Sequence, residues 1–90
     1  MDMPTTMKIG TTQYRIHYKH KPNKALGMCS YMLGSIEVNT ATSPANMRES
    51  LWHEVTHAIL KDMEHPQYAD EQFVTEFSHR LSKAIDSARF

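Results

Sequence analysis

In LWHEVTHAIL, residues 51–60, two histidines stand four residues apart and a glutamate follows the first directly. On a helix, about 100° per residue sets His53 and His57 some 40° apart around the axis and one turn apart along it, so both imidazoles reach one ion. In the H-E-x-x-H pattern the two histidines hold zinc. The glutamate, one residue on and displaced around the helix, is general base to water at the metal's open position. His53 and His57 are therefore the expected zinc ligands and Glu54 the expected catalytic residue. Leu51, Trp52, Val55, Ile59 and Met63 fall in an arc roughly opposite the pair, which puts the histidines off the expected core face. The competing reading is two solvent-facing histidines.

A catalytic zinc takes three protein ligands and keeps one position open. The extended pattern H-E-x-x-H-x-x-G-x-x-H is excluded, because Leu60 stands where glycine belongs and Met63 where the third histidine belongs. His65, just before Pro66 where the chain turns away, is a lesser candidate. Glu71 and Glu76 are better placed on a second helix, and spacing alone leaves both open. A donor for the developing oxyanion is also required, and Tyr31, His65, Tyr68 and His79 all qualify. Cys29, the single cysteine, reads as a small hydrophobe near a turn, with no adjacent charge pattern to activate it.

The elements that must position these groups follow from periodicity. MKIGTTQYRIHY, residues 7–18, alternates on both sides of Gly10–Gln13 and predicts two short strands, with Tyr14, Ile16 and Tyr18 on one face. SIEVN, residues 35–39, predicts a third strand with Ile36 and Val38 together, while MCSYML before it reads as a turn or the end of a preceding strand. Ser43 as N-cap and Pro44 at the first helical position open a helix over 44–63, ended by His65-Pro66. Asp70 opens a second helix over 70–88. Its stripe of Phe73, Phe77, Leu81, Ala84 and Ala88, flanked by Val74 and Ile85, reads as core. Residues 1–6 are expected to be a flexible arm.

Ninety residues allow one domain with one small core. A lone cysteine cannot staple it by an internal disulfide, which leaves a metal or a partner subunit as the staple. No apolar leader and no membrane-spanning run is seen, so a cytoplasmic location is expected, with no membrane partner. Ten basic and ten acidic residues cancel, and no nucleic-acid partner is expected. Arg15, His17, Lys19, His20, Lys21 and Lys24 crowd together, which reads as a solvated hairpin edge whose lysines discourage edge pairing. No heptad or long exposed apolar stripe announces an oligomer.

The order of short strands, an Ile-x-Val strand, the HEVTH helix and then ADEQFV opening a second helix resembles the small zincin-type metallopeptidases of phages and prophages, distant relatives of the ImmA/IrrE peptidase group. The resemblance runs from about Met7 onward, and HEVTH is its specific motif. It implies Glu71, opening the second helix, as the third zinc ligand. It also implies Ser35–Asn39 as an edge strand along which an extended substrate peptide pairs. The expectation is an α+β, zincin-like domain, a three-stranded sheet packed on two helices with Zn2+ between the helices. Its activity would be hydrolysis of peptide bonds in a protein or peptide substrate, in the host cytoplasm if phage-encoded. The alternative is a zincin-like metal-binding module that binds a host or regulatory protein without cleaving it.

Overall fold

The computed structural model describes residues 3–90. Four strands, β1 (Thr6–Ile9), β2 (Thr12–Lys19), β3 (Gly27–Ser30) and β4 (Ser35–Asn39), precede two helices, α1 (Pro44–Asp62) and α2 (Glu71–Ser87). The class is α+β, with the strands in one mixed sheet of order β1-β2-β4-β3. β1 and β2 are antiparallel and joined at Gly10-Thr11, where Gly10 holds φ at 60° as the first residue of a two-residue turn. β2 and β4 run parallel, and β3 returns antiparallel to β4.

The sheet buries one face. Ile9, Tyr14, Ile16, Ile36 and Val38 point inward onto Leu51, Val55 and Ala58 of α1, with Cys29, Met47 and Trp52 at the margins. The predicted faces of β2 and β4 are those observed. The opposite face carries Arg15, His17 and Lys19 into solvent, as alternation along a half-buried strand requires. Lys19 and Lys21 pair there with Glu37. These basic residues therefore sit on the open face of an interior strand, not on the hairpin edge expected for them.

Two expectations about the sheet are corrected. It has four strands and not three, because Gly27–Ser30 pairs with β4 in the register Cys29↔Ile36. GMCS is too short, and too weakly alternating, to declare itself. That extra strand displaces Ser35–Asn39 from the edge to the interior, between β2 and β3. The free edge beside α1 is β3.

Helix α1 begins as predicted. Ser43 Oγ accepts from Asn46 N–H at 3.2 Å, and Pro44 occupies the first turn. Its end is a Schellman turn: Glu64 N–H donates to Lys61 O at 3.0 Å and His65 N–H to Leu60 O at 2.9 Å, with Glu64 at φ 54°. Helix α2 begins where Asp70 Oδ1 accepts from Phe73 N–H at 3.1 Å. Its inward face is not the expected aromatic stripe. Val74, Ser78 and Ser82 are the buried residues, while Phe77 is 51% exposed. On α1, Leu51 and Val55 are core as expected, but Ile59 and Met63 are exposed.

Part of the arm expected over residues 1–6 lies outside the described residues. Of the rest, Thr5 O accepts from Ile16 N–H at 2.9 Å, Tyr18 Oη donates to Pro4 O, and Met3 packs on the core margin. Among the described residues, no helix is long and apolar enough to cross a membrane.

The β2–β3 crossover is organised by one amide. Asn39, buried at the end of β4, accepts from Lys21 N–H at 3.1 Å and Ala41 N–H at 2.8 Å. It donates to Lys21 O at 2.6 Å and Ala25 O at 3.2 Å. Asn39→Ala is expected to cost about 2–4 kcal/mol in urea unfolding, because several backbone groups lose their partner at once. A loss below about 1 kcal/mol would show that the amide does not hold the crossover.

Candidate metal centre

Three ligand atoms meet where the outer side of α1 faces the first turn of α2. One atom each from His53, His57 and Glu71 lie within 4.8 Å of one another. The imidazole centroids are 4.9 Å apart, as the 40° offset on α1 dictates. Glu71 Oε1 stands 2.6 Å from His57 Nε2, and Oε2 stands 3.3 Å from His53 Nε2. Glu71 is the first residue of α2, where the helix dipole favours a carboxylate.

The histidines are held from behind. His57, nearly buried, has Nδ1 at 2.7 Å from Tyr68 O. A carbonyl only accepts, so Nδ1 carries a proton and Nε2 is the ring atom turned to Glu71. Ser78 Oγ stands 3.5 Å from His53 Nδ1 on the far side of the second ring. Two imidazole nitrogens and a carboxylate thus converge, and a neutral Nε2 lone pair facing a carboxylate oxygen is repulsive unless a cation sits between them. A proton or a metal ion answers that need.

The donor set fits zinc. Nitrogen and carboxylate oxygen are its usual ligands, and the atoms around a tetrahedral centre with bonds of ~2.0–2.1 Å stand about 3.4 Å apart. The 3.3 Å His53 to Glu71 separation is of that size, whereas the 2.6 Å between His57 Nε2 and Glu71 Oε1 is a hydrogen-bond distance that would have to open for an ion to enter.

Glu54 is 8% exposed and borders the cluster on both sides. It lines one cleft of about 310 Å³ with Gly27, Ser50 and His53, and a second of about 280 Å³ with Cys29, Tyr31 and Tyr68. Burial raises its pKa to about 7; His57 pulls it down and Glu71 pushes it up, by less. Its carboxyl group occupies space that only a glycine leaves. A Cβ at Gly27 would stand 2.9 Å from Glu54 Oε2 and 2.6 Å from Ser50 Oγ. Ser50 Oγ donates to Leu26 O at 2.8 Å, which ties α1 to the start of β3.

The other candidates separate clearly. Glu76 is exposed on the side of α2 away from α1, outside the cluster. His65 stacks on Phe73 at 6.2 Å and accepts from Gln67 N–H, and His79 pairs with Glu49 across the helices. Neither lines the clefts around Glu54, whereas Tyr31 and Tyr68 do. Burial, then the charges of Cys29 and Glu54, push the Tyr31 hydroxyl up to about 12, so it remains a donor at neutral pH. Burial and then Glu54 push the Cys29 thiol to about 12, which keeps it from acting as a thiolate nucleophile. Sequence reasoning missed Gly27 and Ser50. The glycine at the head of an unassigned strand was their one signal.

Compared with protein-family models, with curated proteins and with solved structures, the chain matches none.

The raised pKa of Glu54 has a sign that can be tested in metal-free protein. A carboxyl whose folded pKa lies above its unfolded value of 4.5 favours folding when protonated, and that contribution is lost as pH rises through about 7. Glu54→Gln is therefore expected to be more stable than the wild type by roughly 2–3 kcal/mol at about pH 8, and by little at about pH 4.5. Chemical unfolding of both chelator-treated proteins across pH checks this. A difference independent of pH would refute it.

Proposed function

We propose that this chain is a zinc-dependent metallopeptidase built on a minimal zincin-like fold. The observation that carries the reading is the convergence of His53, His57 and Glu71 beside the buried carboxyl of Glu54. His53 and His57 would hold the metal through Nε2 and Glu71 through its carboxylate. Zinc bound there supplies a Lewis acid for the scissile carbonyl and a water of lowered pKa.

The remaining chemistry belongs to the chain. Glu54 takes the proton of the attacking water and returns it to the leaving amine, a cycle suited to a carboxyl whose pKa lies near the working pH. Tyr31, protonated and lining the same cleft, donates to the carbonyl oxygen as its charge grows. Tyr68 acts through its backbone, orienting His57.

Substrate enters along β3. Beyond its partner β4, this strand has no further neighbour among the described residues, and Gly27 at its head lines the cleft with His53 and Glu54. An extended peptide pairing with that edge is carried past the metal ligands. Leu26 and Met28, both exposed, flank its path. The substrate is thus an extended segment of a protein or peptide. The single free cysteine fits a reducing cytoplasm, the host's if the protein is phage-borne.

Protein purified without a histidine tag or added zinc is expected to carry near-stoichiometric zinc by elemental mass spectrometry, as is Glu76→Ala, whereas Glu71→Ala loses it. Incubated with a library of unstructured peptides, the wild type should yield cleavage products by mass spectrometry. Glu54→Gln, with its zinc retained, should slow cleavage by roughly 10²–10⁴-fold. Undiminished cleavage by Glu54→Gln would sink the mechanism. Zinc without cleavage by the wild type would favour the module that binds a protein partner and leaves it intact.

A further inference from the structure

Among the described residues the apolar stripe of α2 is only partly covered: His65 stacks on Phe73, and Phe73 and Leu81 are half-buried, while Phe77 is exposed. Phe73, Phe77 and Leu81 form one wall of a groove of about 440 Å³, and Ile59 and Leu60 of α1, with Met63 just past its end, form the other. Ile59 is 41%, Met63 62% and Phe77 51% exposed. The groove shares no residue with the clefts beside the histidines.

We propose that this groove is the interface of a symmetric homodimer, in which α2 of a second copy lies antiparallel across α2. The occupant is indicated by the pattern of the stripe itself. Phe73 and Leu81 stand four residues either side of Phe77, so reversing the helix about Phe77 sets Phe73 against Leu81 of the other copy and Phe77 against itself. A face that meets itself under reversal is what an isologous contact requires.

The charges beside the stripe obey the same symmetry. Glu76 and Arg80 are both exposed and lie about 40° apart on one border of the stripe, with Arg80 Nη1 donating to Glu76 O of the same helix at 2.9 Å and leaving the Glu76 carboxylate to a further partner. In an antiparallel pair related by a two-fold axis, like borders meet. Glu76 then faces Arg80 of the second copy, and Arg80 faces its Glu76. A parallel two-fold pair would instead set opposite borders against each other and leave Glu76 and Arg80 without that contact. Ile59 and Met63, projecting from the neighbouring helix, widen the apolar surface that the second α2 covers.

Sedimentation velocity of the full chain over a concentration series tests this, run with and without zinc because the contact does not involve the metal cluster. The wild type is expected to dimerise at roughly micromolar concentration under both conditions. Phe77→Glu is expected to remain monomeric with unchanged far-UV circular dichroism. Glu76→Arg and Arg80→Glu should each weaken association by about tenfold, since each places like charges together at two symmetry-related points. The double exchange should restore the wild-type constant. A monomeric wild type, or single exchanges without effect, or a double exchange that does not restore association, would overturn the proposal.

Discussion

The rotation of α2 about its own axis fixes most of what this molecule presents to its surroundings. Val74, Ser78 and Ser82 face α1, and Glu71, three and seven residues before the first two, lies on the same side of the helix. Had the more apolar stripe turned inward, Glu71 would have swung roughly 100° away from the histidines. Serines permit the inward turn because they are small, and Ser78 satisfies its hydroxyl at Thr75 O, 3.4 Å away. Two side-chain pairs, Arg48 with Asp86 at 3.1 Å and Glu49 with His79, hold the rotation from one side. The arrangement that aims Glu71 at His53 and His57 is the one that leaves Phe77 in solvent.

Helix α1 is constrained from the other direction. It is buried against the sheet through Leu51, Val55 and Ala58, yet it also buries Ser50, Glu54, Thr56 and His57. Each polar group on such a helix needs a partner or costs free energy. Ser50 finds Leu26 O, Thr56 finds Trp52 O and His57 finds Tyr68 O. The two irregular segments that frame the site, residues 20–26 and 64–70, therefore supply the acceptors for Ser50 and His57, while Thr56 is satisfied within α1. Glu54 differs, because its carboxyl faces the clefts and its ionisation carries the cost of burial.

Local signals in the sequence marked what local physics decides. Ser43-Pro44 and Asp70 placed both helix starts to within a residue, since capping is a contact between near neighbours. The histidine pair and Glu54 were legible for the same reason, being one helical turn. Strand β3 was not, because four residues without strong alternation become a strand only by pairing with β4. The choice of Glu71 over Glu76 was equally hidden. It depends on which face of α2 meets α1, and hydropathy pointed to the phenylalanines while packing selected the serines. Gly27 mattered through space it leaves for Glu54, a property visible only when β3 and α1 are seen together.

The zinc site proposed at His53, His57 and Glu71 can be checked by anomalous diffraction at the zinc edge from crystals grown with the metal. One strong peak is expected within coordination distance of both Nε2 atoms and the Glu71 carboxylate, beside Glu54. A peak held by other residues, or none at saturating zinc, would contradict it.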